Sequence, residues 1–328
     1  MILIISQPND IHMLKVLEIF QKSGQPFKLV APRFDSHSDI HIDYDKNDTN
    51  CYLNDIDIKN VISIWYRKPS FISKKYKDKS DLDNVLINEY SNIESYSLFQ
   101  SISIIYPNIF WLNSPFINVA CKKPVQLYFA NLVGLNIPKT VIGHNPSNLF
   151  ASSETKDFIY KPLNNSQIIT EKSVLQLMTE KFDKSETQKI LETSRDCPKI
   201  YQEYTEKAFE LRITVVGNHF FSVKMETQAD NVDEKTKIDW RKSYTKVKIK
   251  ESIYDLPTDI KQKILLLMEK LKLKFGCVDM IVKPNGEHIF LEINQNGQWL
   301  GYELDHGLQI SQSIADILMN PENTKVKN

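Results

Sequence analysis

Two carboxylates and a carboxamide near the C-terminal end of the chain have a spacing that suits a metal ion. They lie in residues 275–298, where two largely apolar runs, 278–282 and 288–293, flank Pro284-Asn285-Gly286. An Asn-Gly pair between such runs predicts a β-hairpin, because both central residues of a type I′ turn need positive φ. The pairing register of that hairpin then decides which side chains meet.

If Asn285 and Gly286 form a two-residue loop, Asp279 lies directly opposite Glu292, and Asn294 points to the same face two residues further on. Opposed like charges repel, and a bound cation relieves the repulsion. An all-oxygen ligand set favours Mg²⁺ or Mn²⁺, and Mg²⁺ commonly completes its shell with substrate phosphates. The hairpin therefore suggests a nucleoside triphosphate site. The alternative is a surface hairpin with scattered acids, but the apolar neighbours of both acids favour a partly buried face.

The composition is that of an ordinary soluble globular protein. The 328 residues are 41% hydrophobic and 25% charged, with 41 basic and 41 acidic side chains. This balance argues against a nucleic-acid partner, which requires a basic surplus. The four cysteines include no CxxC pair, so they fit neither a zinc site nor a disulfide scaffold and indicate a reducing compartment. The sequence shows no apolar window of 18 residues and no signal peptide, so we expect a cytoplasmic protein without membrane contact.

The elements that must position the hairpin alternate between strands and helices. Residues 1–30 predict a β-α-β unit and hence a small parallel sheet, without the GxGxxG of a dinucleotide site. Residues 35–57 are polar and predict loops, and residues 81–103 predict a long helix with a broad apolar face. We further expect a charged helix over 171–193 and an amphipathic helix over 256–275 that stops at Gly276.

The hairpin sequence VDMIVKPNGEHIFLEINQNGQW resembles the C-terminal metal motif of ATP-grasp enzymes, and is most similar to the ligases that make microviridins and other graspetides. The resemblance extends to WYRKP at 65–69, to residues 113–140 and to DWR at 239–241. The departure is Gln295, which stands where proline is common. The resemblance implies an α/β (α+β) ATP-grasp fold with a parallel α/β lobe (1–112), a central lid lobe (113–198), an antiparallel C-terminal lobe carrying the metal site (199–320) and a tail (321–328).

The same resemblance implies the roles of individual residues. Asp279, Glu292 and Asn294 match the metal ligands, and Lys123 and Lys161 match the lysines that touch the nucleotide phosphates. Lys122 replaces a usual asparagine, which leaves open which lysine of the pair points inward. The remaining cofactor-binding residues are Ser166 in the lid loop, the hinge residues Gln202, Glu203 and Tyr204, and Glu210.

Two arginines match positions that act on the reacting groups. Arg212 follows Glu210 in an acidic-x-Arg motif and Arg241 closes the DWR motif, and both would stabilise the transferring phosphoryl group or the activated carboxylate. Arg67 would contact substrate, or else it is a strand-end arginine on a solvated rim. For the hinge, the backbone of Glu203 and Tyr204 would pair with the adenine edge. The alternative there is an ordinary edge strand.

The implied function is ATP-dependent ligation with Mg²⁺ or Mn²⁺. A carboxylate of Asp or Glu in a ribosomal precursor peptide (leader plus core) would become an acyl-phosphate. It would then join a Ser or Thr hydroxyl, or a Lys amine, to form macrocycles, with the ester favoured. A homodimer is expected from the resemblance alone. The alternatives are a glutathione-synthetase or glutamate-ligase type of enzyme acting on a small amino acid or protein tail, and a nucleotide-binding protein with a dead site.

Overall fold

The computed structural model describes residues 1–32, 39–46, 48–69, 76–164, 167–169, 174–176, 178–194, 196–243 and 249–324. Within these ranges the chain builds three larger sheets in succession along the sequence. The first is parallel and the other two are antiparallel, so the structure confirms the expected α/β (α+β) class.

The N-terminal sheet begins with β1 (Ile2–Ser6), which is buried along its whole length, as its unbroken apolar sequence predicts. Helix α1 (Ile11–Ser23) starts where the Asp10 side chain accepts hydrogen bonds from the N–H groups of His12 and Met13. It ends at Gly24, whose φ of +68° suits a left-handed cap. Strand β2 (Phe27–Val30) returns parallel to β1, so the β-α-β prediction is confirmed.

The rest of this lobe adds to both sides of β1. A separate three-stranded antiparallel sheet, in place of the loops expected over 35–57, comprises β3 (Ile40–Asp45), β4 (Asp48–Leu53) and β5 (Ile56–Asp57). The parallel sheet is completed, in the order β2-β1-β6-β7, by β6 (Ser63–Arg67) and β7 (Phe110–Leu112), which flank α2 (Asp81–Ile105).

Helix α2 confirms the predicted element but not its predicted face. Leu82, Leu86, Tyr90 and Ile93 are all more than half exposed. The helix buries its C-terminal turns instead, through Phe99 and Ile102. An apolar stripe is therefore left uncovered along its N-terminal half.

Two short helices, α3 (Pro115–Ala120) and α4 (Lys123–Leu132), lead to the central sheet. The elements that follow are β8 (Thr140–Gly143), α5 (Ser147–Ser152), β9 (Asp157–Lys161), β10 (Gln167–Ile169), β11 (Val174–Gln176), β12 (Glu180–Asp183), α6 (Thr187–Ser194) and β13 (Lys199–Glu203). The helix expected over 171–193 is thus confined to α6, since β11 and β12 pair with neighbouring strands instead.

Strand β13 lies inside the central sheet, whose order is β12-β9-β13-β8. It pairs antiparallel with β8 on one side and β9 on the other. The alternative of an edge strand is therefore wrong, because β13 is flanked on both sides, whereas the lobe boundary at 198/199 stays a prediction.

The C-terminal sheet has the order β16-β15-β14-β17-β18 and is antiparallel throughout. Its elements and the closing helices are β14 (Phe209–Val216), β15 (His219–Met225), α7 (Glu234–Ile238), β16 (Glu251–Ile253), α8 (Thr258–Lys270), β17 (Phe275–Val282), β18 (His288–Asn294), α9 (Leu300–His306) and α10 (Ile310–Met319). Helix α4 packs on α8 and β18, so its apolar side chains join the core of this lobe despite their predicted place in the central lobe.

Gly276 has a different role from the one predicted. Helix α8 stops six residues earlier, with Lys272 in the left-handed region at φ +56°, and Gly276 lies within β17. A Cβ at this glycine would stand 2.6 Å from Cδ1 of Ile293 on the adjacent strand. Glycine here leaves room for the Ile293 side chain and does not stop a helix.

The C-terminal helix α10 ties the first and third lobes together. Its Ile310 and Ile314 share one buried cluster with Ile2 and Phe20 of the N-terminal lobe and with Trp299. The part of the chain that the structure describes contains no helix long and apolar enough to cross a membrane.

Candidate active site

The predicted hairpin places Asp279 opposite Glu292, but by a different route from the one predicted. The loop has three residues, Pro284 to Gly286, and Lys283 pairs with Glu287, so the register beside the turn differs by one. A β-bulge at Leu291 then inserts one extra residue and restores the opposition of the two acids. The prediction is confirmed at the acids, whereas the two-residue loop on which it rested is wrong.

Asn294 lies two residues beyond Glu292 on β18 and opposite Cys277. Its side-chain oxygen accepts a hydrogen bond from the N–H of Asn296 at 3.0 Å, which fixes the carboxamide and leaves a second lone pair. No three His, Cys, Asp or Glu residues are grouped for a metal among the described residues. A metal site at this hairpin therefore depends on the carboxamide as its third protein ligand.

Each acid is matched by a cation from a different element. Arg212 lies on β14 directly opposite Asp279 on β17, and its guanidinium donates to the Asp279 carboxylate at 2.7 Å. The Lys123 ammonium lies 3.1 Å from Glu292, and the Arg241 guanidinium lies 3.9 Å from the same carboxylate.

Burial and these cations set the protonation of the two acids. Burial by itself raises the pKa of Glu292, but Lys123, Lys161 and Arg241 outweigh it and lower that pKa to about 2. Burial raises the pKa of Asp279 despite the Arg212 guanidinium, and the charge of Glu292 raises it further. A divalent cation between the acids would remove this repulsion. The oxygen-only donor set, with at least one acid firmly ionised, fits Mg²⁺ or Mn²⁺.

Both lysines of the Lys122-Lys123 pair face the cleft. Lys123 is the first residue of α4 and turns to Glu292, whereas the Lys122 ammonium donates to the side chain of Asn164 at 2.9 Å. Lys161, the last residue of β9, is buried in the same cleft, and burial together with the nearby cations lowers its pKa to about 8 against the opposing pull of Glu292. The structure thus brings together the predicted phosphate-binding lysines. Ser166 lies outside the described residues.

The three predicted hinge residues have different surroundings. Gln202 is buried within the sheet, where its side chain donates to the Thr140 hydroxyl at 2.9 Å. Glu203 and Tyr204 line the cleft, but their backbone N–H groups donate to the carbonyls of Lys139 and Asp157. These two N–H groups are therefore already paired, and the contact of this backbone with adenine stays a prediction.

Hydrogen bonds to a base at the hinge would have to come from other backbone groups. The carbonyl oxygens of Glu203 and Tyr204 remain candidates, as does Thr205, which also lines the cleft. The pairing was missed because it depends on strands 40 to 60 residues earlier in the chain, which local sequence does not align.

Glu210 lies in the cleft next to a cation that the sequence reasoning missed. The ammonium of Lys207 contacts its carboxylate at 2.5 Å and also donates to the carbonyl of Ile238 at 3.2 Å. Burial raises the pKa of Glu210 although Lys207 opposes the shift. The predicted cofactor contact of Glu210 stays a prediction, and Lys207 is an additional candidate. A lysine three residues before a strand acid carries no sequence signal that would have singled it out.

Arg241 is held rigidly at the mouth of the cleft. Its Nε and Nη2 atoms bond the two oxygens of buried Asp239, each at 2.8 Å. Because this bidentate pair orients the guanidinium, the remaining Nη1 faces Glu292. The DWR motif therefore supplies an oriented positive charge beside Glu292.

Arg67 is buried, with 1% of its surface exposed, so it is not on a solvated rim. It donates to the carbonyls of Asn296 and Gly297 at 2.9 and 3.1 Å, pairs with Asp10 and stacks on Trp299 at 4.6 Å. It therefore holds the loop that follows β18. A contact with substrate stays a prediction.

Two cavities meet at these charges. The first is lined by the hinge, by Lys161 and by apolar side chains such as Ile159 and Ile281. The second is lined by residues that include Lys122, Asn164, Asn294 and Gln295. Three residues border both cavities: Lys123, Arg241 and Glu292. The arrangement offers space for two ligands whose ends meet at one ionised carboxylate.

Comparison with solved structures gives full-length matches, whereas no protein-family model and no curated protein matches the chain. A Chryseobacterium gregarium RiPP-associated ATP-grasp ligase, solved with ADP and a leader and core peptide, is 25% identical with a TM-score of 0.83, over 98% of this chain and 96% of that one. The macrocyclase MdnC of Microcystis aeruginosa MRC, bound to precursor peptide MdnA, is 26% identical with a TM-score of 0.77, over 98% of this chain and all of that one. Macrocyclase MdnB of the same organism is 25% identical with a TM-score of 0.72. The chain has the ATP-grasp fold, in the form found in RiPP-associated ligases and macrocyclases.

Proposed function

We propose that this protein is an ATP-dependent carboxylate ligase that makes macrocycles in a ribosomal precursor peptide composed of a leader and a core. It would activate an Asp or Glu side chain as an acyl-phosphate and join it to a Ser or Thr hydroxyl or a Lys amine. The observation that carries the proposal is the ionised Glu292, surrounded by Lys123, Lys161 and Arg241. A carboxylate within a surplus of fixed cations is arranged for a metal ion together with phosphate oxygens.

The first cavity suits the nucleotide. Its apolar walls offer contact area for a flat base, and Lys161 and Lys123 place positive charge where a phosphate chain would run towards the hairpin. Mg²⁺ or Mn²⁺ held by Asp279, Glu292 and Asn294 would offset phosphate charge and orient the reacting oxygens when bound.

The second cavity suits the carboxylate of the peptide. It shares Glu292 with the first cavity, contains none of the hinge residues, and adds Lys122 and four side-chain amides to the shared cations. Because Arg241 borders both cavities and is fixed by Asp239, it lies where charge would develop as a carboxylate meets the terminal phosphate.

The chemistry balances without a further reactant. A carboxylate oxygen attacks the terminal phosphorus, the bond to ADP breaks, and the acyl-phosphate forms. The hydroxyl or amine then attacks the acyl carbon, inorganic phosphate leaves, and the nucleophile loses its proton. The Lys122–Asn164 contact holds Asn164, three residues after β9, at the cleft, where its side chain would limit access of water to the acyl-phosphate.

The similar proteins support this assignment. The Chryseobacterium ligase was solved with ADP and a leader and core peptide, and MdnC was solved with its precursor peptide. Both match nearly the whole of this chain, so the similarity extends over all three of its larger sheets.

The test is mass spectrometry of precursor peptides encoded beside this protein, incubated with the protein, ATP and Mg²⁺. We expect the peptide to lose the mass of one water for each link while ADP accumulates. The matched control is Glu292→Gln, which keeps the shape of the side chain and removes its charge. Links cleaved by mild base would be esters, which we favour, and resistant links would be amides.

Other outcomes would contradict the proposal. ADP formation with free amino acids but no change in any peptide would indicate a small-molecule ligase. Nucleotide binding without turnover would indicate a protein that has lost its activity. The homodimer and the cytoplasmic location stay predictions, and sedimentation of the purified protein tests the first of them.

A further inference from the structure

The metal strand β18 is the edge strand of its sheet, so its outward backbone groups need partners from elsewhere. The N–H of Phe290 donates to the carbonyl of Asn136 at 2.8 Å. Three residues further on, beside the metal ligands, the side chain of Gln126 takes over. Its Oε1 accepts from the N–H of Ile293 at 2.9 Å and its Nε2 donates to the carbonyl of Ile293 at 3.0 Å.

The Gln126 side chain thus behaves like a single peptide group of a missing neighbouring strand. It is 4% exposed, and its Nε2 also donates to the carbonyl of Cys121 at 3.0 Å. The orientation of the amide is fixed by these partners, because two carbonyls face the nitrogen and one N–H faces the oxygen. An apolar side chain of the same size would leave the N–H and the carbonyl of Ile293 buried without partners.

Gln126 also couples this strand to a phosphate-binding lysine. It lies three residues after Lys123 on α4, so both side chains project from one face of the helix. Lys123 contacts Glu292, and Gln126 holds the adjacent residue, Ile293. One face of α4 therefore contacts two consecutive residues of β18, Glu292 and Ile293.

A second buried carboxamide holds the other side of Asn294. The Nδ2 of Asn113 donates to the carbonyls of Gln295 at 3.1 Å and Phe275 at 2.9 Å. The backbone of Asn294 is thus fixed on both flanks, by Gln126 through Ile293 and by Asn113 through Gln295. Neither carboxamide belongs to the predicted ligand set of Asp279, Glu292 and Asn294.

We propose that Gln126 is a positioning residue for the metal site, which sets the place of Glu292 and Asn294 by completing the edge of β18. The inference rests on the proposed function, since the cation and the nucleotide come from it. Outer partners that orient metal ligands typically contribute a factor of about 10–100 to metal affinity. Gln126 is such an outer partner, because it holds Ile293, the residue between the predicted ligands Glu292 and Asn294.

The test measures ADP affinity by calorimetry with Mg²⁺ and with EDTA, using the full chain. The variants are Gln126→Met, close in size but without the amide, and Asn131→Leu, which removes an exposed carboxamide from the same helix. The gain from Mg²⁺ is the ratio of ADP affinity in Mg²⁺ to ADP affinity in EDTA. We expect this ratio to fall about 10–100-fold in Q126M. It should keep its wild-type size in N131L, and affinity in EDTA should be similar in all three proteins.

The other outcomes distinguish failure of the inference about Gln126 from failure of the proposed function. A Q126M protein that folds, by circular dichroism and thermal melting, and keeps the wild-type gain from Mg²⁺ would overturn the inference alone. Wild-type protein that binds no ADP under either condition would overturn the proposed function, and the inference with it. If Q126M does not fold, Gln126→Glu decides, because it keeps an acceptor for the N–H of Ile293. It should show a reduced gain from Mg²⁺, and an unchanged gain would overturn the inference.

Discussion

Replacing His12 by asparagine should remove a pH dependence from the stability of this protein. The ring of His12 packs on Trp299, with centroids 4.6 Å apart, and its Nδ1 accepts from the backbone N–H groups of Trp299 and Leu300 at 3.4 and 3.2 Å. An acceptor at Nδ1 requires a neutral ring. Burial lowers the pKa of His12 from 6.5 to about 4, helped by Arg67 and Lys68 and opposed by Asp10.

The magnitude follows from this shift. In the unfolded chain His12 takes up a proton near pH 6.5, whereas in the folded protein it stays neutral down to about pH 4. Between these values the unfolded state binds more protons, so stability rises with pH. The contribution is fully present above pH 6.5 and is lost as the pH falls towards 4. A shift of this size corresponds to about 3 kcal/mol of unfolding free energy.

The assay is urea unfolding followed by circular dichroism at several pH values from 7.5 to 4.5. Asparagine can keep an acceptor near the place of Nδ1 but does not titrate, so His12→Asn should lose less stability than wild type as the pH falls. The matched control is His219→Asn, an exposed histidine whose replacement should keep the wild-type profile. Parallel profiles for wild type and H12N would refute the argument, because the neutral buried ring would then make no difference.

Three further outcomes follow from the site and its loop. Glu292→Gln should lower the rate of ADP formation at least 100-fold at unchanged circular dichroism, since one lost electrostatic contact in an active site commonly costs about 10²–10³ in rate; a rate within tenfold of wild type would contradict its role. Gly297→Ala should destabilise the protein by about 1–3 kcal/mol in urea unfolding, because the new Cβ would lie 2.4 Å from Cys277 on β17. The control Gly301→Ala should leave stability unchanged, because a Cβ there meets nothing within 4 Å. Arg241→Lys should lower kcat with little change in ADP affinity, because lysine cannot keep the bidentate pair with Asp239. Steady-state kinetics would measure kcat and calorimetry would measure ADP affinity. An equal loss in both would show that the arginine only binds nucleotide.

The hairpin shows how far local sequence reaches. Asn285-Gly286 predicts a tight turn, and a tight turn is formed. The turn has three residues, Pro284, Asn285 and Gly286, and Gly286 has φ +85°. The bulge at Leu291 then compensates for the altered register. The opposition of the two acids was therefore predicted correctly, although neither the loop length nor the bulge was predicted.

The elements themselves and their caps were accessible from sequence because they depend on neighbours within a few residues. Asp10 before α1 and Gly24 after it act through hydrogen bonds and φ angles that span one turn of helix. The alternation along β14 likewise predicted that Glu210 and Arg212 share a face. The resemblance then supplied roles for residues that no periodicity distinguishes, such as Lys161.

What only the tertiary structure decided depends on contacts between distant parts of the chain. Gln126 meets Ile293 across 167 positions, and Arg67 meets the carbonyl of Asn296 across 229. The burial of β13 between two strands, which occupies the hinge N–H groups, likewise follows from pairing with distant segments. Sequence alone predicted the oxygen ligands Asp279, Glu292 and Asn294, and it predicted the strands on which they lie. The fold decided which cations, carboxamides and backbone groups surround them, because charge and hydrogen bonding act through space between segments that local patterns do not bring into register.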